Sequence, residues 1–262
     1  MVINWEYVKQ RTLWNYEELI KKLCRTLSYD FVLAHYNHSM DEAIDYLSAL
    51  HGNEMQQPEK RAWVEGLAAN FAWLKRVGVQ NYLDLVQQVE SRQKCEAFLK
   101  SSGMDFLALI DTLNYLFRWV LPFPTPLREF FNTEDASELR ALEALKEHRI
   151  TTSLDLLEQG RTPGKRSHLV NMSGIAPELL LRLVHQADLS RLPYVRGKTV
   201  RHLCGGGYDM VAKLANADLQ EMEVTMDAYY HTLGKELADF KSVIPLAPLI
   251  HWARILPGIF EV

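Results

Sequence analysis

The feature that most constrains the fold is an internal match: shifted by 71 residues, the chain aligns with itself without a gap. Residues 74–122 then lie on residues 145–193, and 12 of these 49 pairs are identical. Ordinary composition gives a chance identity of ~6% per position, or roughly three pairs. The identical pairs include Ser102-Gly103 with Ser173-Gly174. Such self-similarity predicts a repeated helical unit.

Helix signals dominate the rest of the chain. Apolar residues between Trp5 and Leu23 follow a 3.6-residue spacing, which predicts one first helix. Ser39, with a glutamate three residues later, is typical of a capping box, and Gly52 marks the end of that helix. No segment alternates with a period of two for long enough to indicate a sheet. We therefore predict an all-α protein of eleven or twelve helices.

Three corners between helices share one pattern. In each, a helix ends at a left-handed or turn residue, an apolar residue fills the angle, and a short helix follows. The turn residues are Gly78, Arg149 and Gly207, and the apolar residues are Val79, Ile150 and Tyr208. The recurrence favours repeated supersecondary units over a single irregular bundle.

The segment Leu121–Pro126 contains three prolines and cannot continue a helix. It is the best candidate for a boundary between the two halves of the chain. We predict an N-terminal helical domain at residues 1–130, which includes a degenerate copy of the repeat, and a C-terminal domain at residues 131–262.

Charge is concentrated in one stretch of an otherwise mildly acidic chain. The formal net charge is −4, but residues 161–201 carry eight basic residues against two acidic ones. The basic residues are Arg161, Lys165, Arg166, Arg182, Arg191, Arg196, Lys198 and Arg201. A patch of this kind is typical either of contact with an anionic partner or of a solvated surface.

Residues 145–214 resemble a bacterial domain of unknown function that is built from degenerate helix-hairpin-helix units. The resemblance rests on four short segments, and it covers residues 140–235 with a weaker copy at 74–131. The segments are Leu154–Leu157, Thr162-Pro163, Gly174-Ile175 and Asp188-Leu189. The resemblance implies a multi-helix array with tandem helix-hairpin-helix-like units.

In units of this kind that bind DNA, a glycine–apolar–glycine hairpin lets backbone N–H groups approach a phosphate. Here Tyr194 and Arg196 stand at the two glycine positions around Val195. Tyrosine does not take a positive φ cheaply, so side-chain charge has to compensate. The hairpin of the first copy, Pro122–Pro126, has neither glycine nor lysine and is not expected to bind nucleic acid. The predicted nucleic-acid-binding residues are Lys165, Arg166, Tyr194, Val195, Arg196, Gly197, Lys198 and Arg201.

The resulting hypothesis is a non-catalytic protein that contacts DNA backbone non-specifically. The alternative is a protein–protein interaction scaffold or regulatory protein that binds no nucleic acid. A third class, an enzyme or ligand-binding protein, needs a buried polar cluster, and no nucleophile motif is recognisable. We interpret His185 and Asp188 as an exposed pair at a helix end.

No cofactor or metal is expected, because the metal-like spacing of His35, His38 and Asp41 is interrupted by the helix start at Ser39. Core packing is the simplest account of the tryptophans, and a cluster lining an apolar pocket is the alternative. The tryptophans are Trp5, Trp14, Trp63, Trp73, Trp119 and Trp252. Three isolated cysteines, no secretory signal and no long apolar run predict a cytoplasmic protein without a membrane partner.

Overall fold

A computed structural model describes residues 3–52, 57–131, 135–241 and 245–261. The chain divides into two compact units, Met1–Leu121 and Pro122–Val262. The described residues form helices and no strand, and this confirms the predicted all-α class.

The first unit contains eight α-helices among its described residues. They are α1 Glu6–Thr12, α2 Tyr16–Thr26, α3 Asp30–Tyr36, α4 Met40–His51, α5 Pro58–Arg76, α6 Tyr82–Gln88, α7 Arg92–Ser102 and α8 Phe106–Tyr115. A π-helical turn, Leu116–Val120, continues α8. The single helix predicted from Trp5 to Leu23 is wrong: Leu13 takes a left-handed φ of 71°, and Asn15 begins α2 with a capping box.

The second unit begins with a 3₁₀ turn at Leu127–Glu129. Its α-helices are α9 Ala136–Glu147, α10 Ser153–Gly160, α11 Pro163–Ser173, α12 Pro177–Leu189, α13 Gly197–Gly205, α14 Val211–Ala215, α15 Leu219–Thr232, α16 Leu237–Lys241 and α17 Leu246–Ile255. The predicted number of eleven or twelve helices was too low, because several helices are only five to seven residues long.

Helix boundaries follow the 71-residue offset. α7 starts and ends 71 residues before α11, and both end at a glycine, Gly103 with a φ of 67° and Gly174 with a φ of 68°. The starts of α6 and α10 differ by 71 residues, as do those of α8 and α12. Equivalent positions of the two segments can therefore be compared one by one.

A left-handed or turn residue was predicted at each of the three corners, and all three residues are left-handed. Gly78, Arg149 and Gly207 have φ values of 94°, 62° and 89°. In each corner the N–H of the next residue donates to the carbonyl oxygen five residues back, at 2.8–3.0 Å. This hydrogen bond pairs a carbonyl that the helix end leaves open.

Candidate functional site

The predicted hairpin of the second unit begins with a left-handed tyrosine. Tyr194 has a φ of 60° and is 41% exposed, so it adopts the conformation that the family pattern assigns to glycine. The following Val195 is fully buried, and its N–H donates to the carbonyl oxygen of Leu192 at 3.1 Å. The hairpin is thus closed by its own backbone and anchored through Val195.

The next two predicted residues pack against the segment Phe123–Glu129. The guanidinium of Arg196 lies 4.2 Å from the centre of the Phe123 ring and donates to the carbonyl oxygen of Val195. Burial lowers the pKa of Arg196 to about 10, although the charge of Glu129 opposes this shift. A Cβ on Gly197 would lie 2.8 Å from the carbonyl oxygen of Glu129. Glycine is needed here for close packing within the chain.

Lys198 and Arg201, by contrast, are exposed on α13. Their charges, together with that of Lys235, add to burial in lowering the pKa of His202. We call Lys198, Arg201 and Lys235 the hairpin surface. All three residues are exposed, and Lys198 and Arg201 follow the predicted hairpin on α13.

Lys165 and Arg166 lie in the first turn of α11 and are held by local partners. Lys165 Nζ donates to the backbone carbonyl and to Oε1 of Glu158. Arg166 Nη1 donates to the carbonyl oxygens of Gly160, Arg161 and Glu261, at 2.9–3.3 Å. These two residues border a different feature of the unit.

That feature is a cavity of about 940 Å³ between α11, α12, α14 and the segment Leu256–Phe260, and we call it the apolar groove. Most of its walls are aliphatic, and the exposed side chain of Leu181 on α12 lies along it. Its volume is at the upper end of the range of small-molecule sites. Other residues of α11 and α12 along the groove are Pro163, Arg166, Pro177, His185 and Asp188.

The charged groups of the groove, Arg166, Asp188 and Arg191, already have partners within the chain. The Arg191 guanidinium is bonded to Asp188, and both are buried. Arg191 Nη1 also donates to the carbonyl oxygen of Pro257 at 3.0 Å. The Phe260 ring lies 4.4 Å from that of His185 and 4.8 Å from the Arg166 guanidinium. Burial lowers the pKa of His185, so its neutral form is favoured.

The interpretation of His185 and Asp188 as an exposed pair was wrong. Asp188 is only 5% exposed, and its partner is Arg191, three residues further along the chain. The i,i+3 spacing of opposite charges was the signal available in the sequence. The groove itself had no such signal, because the segment that borders it is about 70–100 residues away from α11 and α12.

A smaller cavity of about 190 Å³ lies in the first unit between Trp63, Tyr115, Trp119, Arg11 and Asp111. Two tryptophans therefore line a cavity here, but with Arg11, Asp111 and Asn114 in its walls it is not the apolar pocket of the alternative interpretation. Among the described residues, no three metal-ligating side chains form a group that could hold an ion. None of the helices in those same ranges is long and apolar enough to cross a bilayer.

Comparison with known proteins adds one family. Residues 137–249 match the model of DUF4332, a domain of unknown function. The expected likeness of this half to a domain of unknown function is thereby confirmed, whereas the helix-hairpin-helix assignment stays a prediction. Neither the curated proteins nor the solved structures contain a match to the chain.

Proposed function

We propose that the protein is a non-catalytic interaction module and that the apolar groove of its second unit binds a partner protein. The observation that carries the proposal is the groove itself: a cavity of about 940 Å³ with mostly aliphatic walls and an arginine at one side. Contiguous exposed apolar surface with polar residues around it is typical of interaction sites. The alternative of a scaffold without nucleic-acid binding is thus the function that the geometry supports best.

The polar groups of the groove favour binding over catalysis. The buried Asp188 carboxylate is neutralised by Arg191, and the Arg166 guanidinium is held by three carbonyl oxygens. A general acid or base needs a titratable group within reach of a bound substrate. His185 is titratable, but its ring packs against that of Phe260, with the two ring centres 4.4 Å apart.

The test uses the anionic apolar dye 1-anilinonaphthalene-8-sulfonate and the full chain. We expect dye fluorescence to rise on addition of the protein, and Leu181→Glu to weaken dye binding at least fivefold. Leu219→Glu is the matched control, since Leu219 on α15 is also 38% exposed but does not line the groove. Equal dye binding by the two variants, or none by the parent, would contradict the proposal.

The hairpin surface favours a second candidate, non-specific contact with DNA backbone. Lys198 and Arg201 are exposed beside the left-handed Tyr194, and Lys235 adds a third charge. Three phosphate contacts predict that affinity falls roughly 40-fold between 50 and 200 mM salt. Fluorescence anisotropy with a labelled duplex measures this, and Lys198→Gln with Arg201→Gln should reduce both affinity and salt dependence. If duplex and single-stranded DNA and RNA are all ignored at 50 mM salt, this candidate is excluded.

A further inference from the structure

We infer that the smaller cavity of the first unit, between Trp63, Tyr115 and Trp119, binds a small uncharged molecule, and we call it the tryptophan cavity. The molecule that fits is a single six-membered ring that carries a hydrogen-bond donor next to an acceptor, as a carboxamide does. The tryptophan cavity lies in the first unit and the apolar groove in the second, so the two sites can be tested separately.

Aromatic side chains from three elements form a firm wall of this cavity. Trp63 lies on α5, Tyr115 ends α8, and Trp119 belongs to the π-helical turn. The centre of the Trp63 ring lies 5.9 Å from that of Tyr115 and 6.2 Å from that of Trp119. The ring of the fully buried His51 packs against both tryptophans, with ring centres 5.0 and 4.7 Å apart. π-Helical turns inside helices are frequent at functional sites, so the position of Trp119 agrees with such a role.

The volume of the tryptophan cavity limits its occupant to one small ring. The cavity measures about 190 Å³, which is below the ~300–1,000 Å³ of typical small-molecule sites. An apolar protein cavity of ~150 Å³ takes up benzene. The tryptophan cavity therefore has room for a six-membered ring and a small polar substituent, but not for a larger ligand such as a nucleotide.

The charges in the walls neutralise one another. Arg11 Nε donates to Asp111 Oδ1 at 2.9 Å, and Arg11 Nη2 donates to Asp111 Oδ2 at 3.0 Å. Burial raises the pKa of Tyr115, so its hydroxyl stays neutral. The Lys60 ammonium already lies 5.9 Å from the centre of the Trp63 ring, which disfavours a second cation there. An uncharged ligand fits best, because a charged one would have to break the Arg11–Asp111 pair to gain a counter-ion.

Two buried polar atoms beside the cavity specify the hydrogen bonds of the ligand. Asn114 Nδ2 donates to the carbonyl oxygen of Arg11 at 3.4 Å, while Asn114 Oδ1 has no partner among the described residues. The hydroxyl of Tyr115 also has none within those ranges. A buried polar group without a partner is costly, because it has lost its hydration. A carboxamide has the N–H donor that Asn114 Oδ1 requires and a carbonyl oxygen that accepts from the Tyr115 hydroxyl.

The probe is benzamide, one ring with one carboxamide, titrated into the full chain by isothermal titration calorimetry. We expect saturable binding of one molecule per chain. Three analogues with the same ring test the chemistry: benzoate, benzylammonium and toluene. Each should bind roughly tenfold more weakly than benzamide, because the first two are charged and toluene forms no hydrogen bond.

A matched pair of variants tests the location of the site. Tyr115→Phe should weaken benzamide binding roughly fivefold, because it removes one hydrogen bond and leaves the ring in place. Tyr82→Phe is the control: Tyr82 is also fully buried, and its hydroxyl is likewise without a partner in the described part of the chain, but it does not line the cavity. Tyr82→Phe and Leu181→Glu should both stay within about twofold of the parent. Circular dichroism verifies that each variant is folded.

Tighter binding of benzoate or benzylammonium than of benzamide would overturn the inference, as would toluene binding equal to that of benzamide. Unchanged binding by Tyr115→Phe, or no binding of benzamide at millimolar concentration, would overturn it too. Binding that depends on Leu181 and not on Tyr115 would place benzamide in the apolar groove and reject the tryptophan cavity as its site. The dye test of the groove is independent of all these outcomes, so failure here leaves the proposed function standing.

Discussion

The α7–α8 face of the first unit and the α11–α12 face of the second are built on matching helix boundaries, yet one is core and the other is surface. Ile110 on α8 is fully buried, whereas its counterpart 71 residues later, Leu181, is 38% exposed. The difference arises from what covers each face: residues 5–17 in the first unit, and the short segment near Phe260 in the second. A segment remote in sequence can thus decide whether a helix pair forms core or an open face.

The residues have changed in keeping with this difference. The buried Cys95 corresponds to Arg166, and the buried Phe117 corresponds to Asp188. A charged group is costly inside a closed core unless it is paired. Asp188 is as buried as Phe117 but is paired with Arg191, and the partly exposed Arg166 is held by three carbonyl oxygens. The second copy therefore carries paired polar groups at positions that are apolar in the first.

The largest effect should come from removing a buried aromatic side chain of residues 5–17. Tyr16→Ala should destabilise the first unit by about 3–5 kcal/mol, because Tyr16 is 1% exposed and its deletion leaves a cavity. Phe260→Ala should cost only about 1 kcal/mol, because Phe260 is half-buried. Urea unfolding monitored by tryptophan fluorescence measures the first effect, since Trp5, Trp14, Trp63, Trp73 and Trp119 all lie in the first unit.

Trp252 lies in the second unit, so circular dichroism should accompany fluorescence for Phe260→Ala. Equal losses of stability in the two variants would break the comparison, because they would mean that Phe260 closes its face as firmly as Tyr16 does. An increase in dye binding by Phe260→Ala, without one by Tyr16→Ala, would sharpen the comparison of the two faces.

A smaller loss is expected where the hairpin packs on the Phe123–Glu129 segment. Gly197→Ala should destabilise the second unit by about 1–3 kcal/mol, because the new Cβ meets the backbone of Glu129. Gly164→Ala in α11 is the matched control: its Cβ would have no neighbour within 4 Å, so a gain of up to about 1 kcal/mol is expected. Thermal unfolding of both variants measures the two effects. An unchanged stability of Gly197→Ala would show that the Glu129 backbone shifts at little cost to accept the new Cβ.

The smallest change in stability is expected at the two equivalent corners, Gly78 and Arg149. Arg149→Gly should stabilise the second unit by about 0.5–1 kcal/mol, because glycine adopts a φ of 62° without strain and Arg149 is exposed. Gly78→Ala at the corresponding corner should cost about 1 kcal/mol for the same reason. Chemical denaturation of the pair measures both. Changes of the same sign would contradict the equivalence of the two corners.

The corners and helix caps could be predicted from the sequence because their causes are local. Ser39 with Glu42 forms the predicted capping box at the start of α4. The break between α1 and α2 was missed because no glycine or proline marks it at Leu13. Apolar periodicity continues across the break, since both short helices face the same core.

The candidate site was only partly accessible to the same reasoning. Exposed Lys198 and Arg201 agree with a cationic surface, and DNA contact there remains a prediction. The roles of Arg196 and Gly197 depend on Phe123 and Glu129, which lie about 70 residues earlier in the chain. A stretch of basic residues does not reveal which guanidinium is stacked, paired or free to meet an anion.

By itself, the sequence determined the helical class, the three left-handed corners and the alignment of the two copies, because capping, turn residues and apolar spacing act within a few residues. The tertiary structure alone decided which copy keeps an open face. That outcome depends on whether a distant segment with aromatic side chains packs across α7 and α8 or leaves α11 and α12 partly uncovered. The free energy of such packing depends on surfaces that meet only in the folded chain.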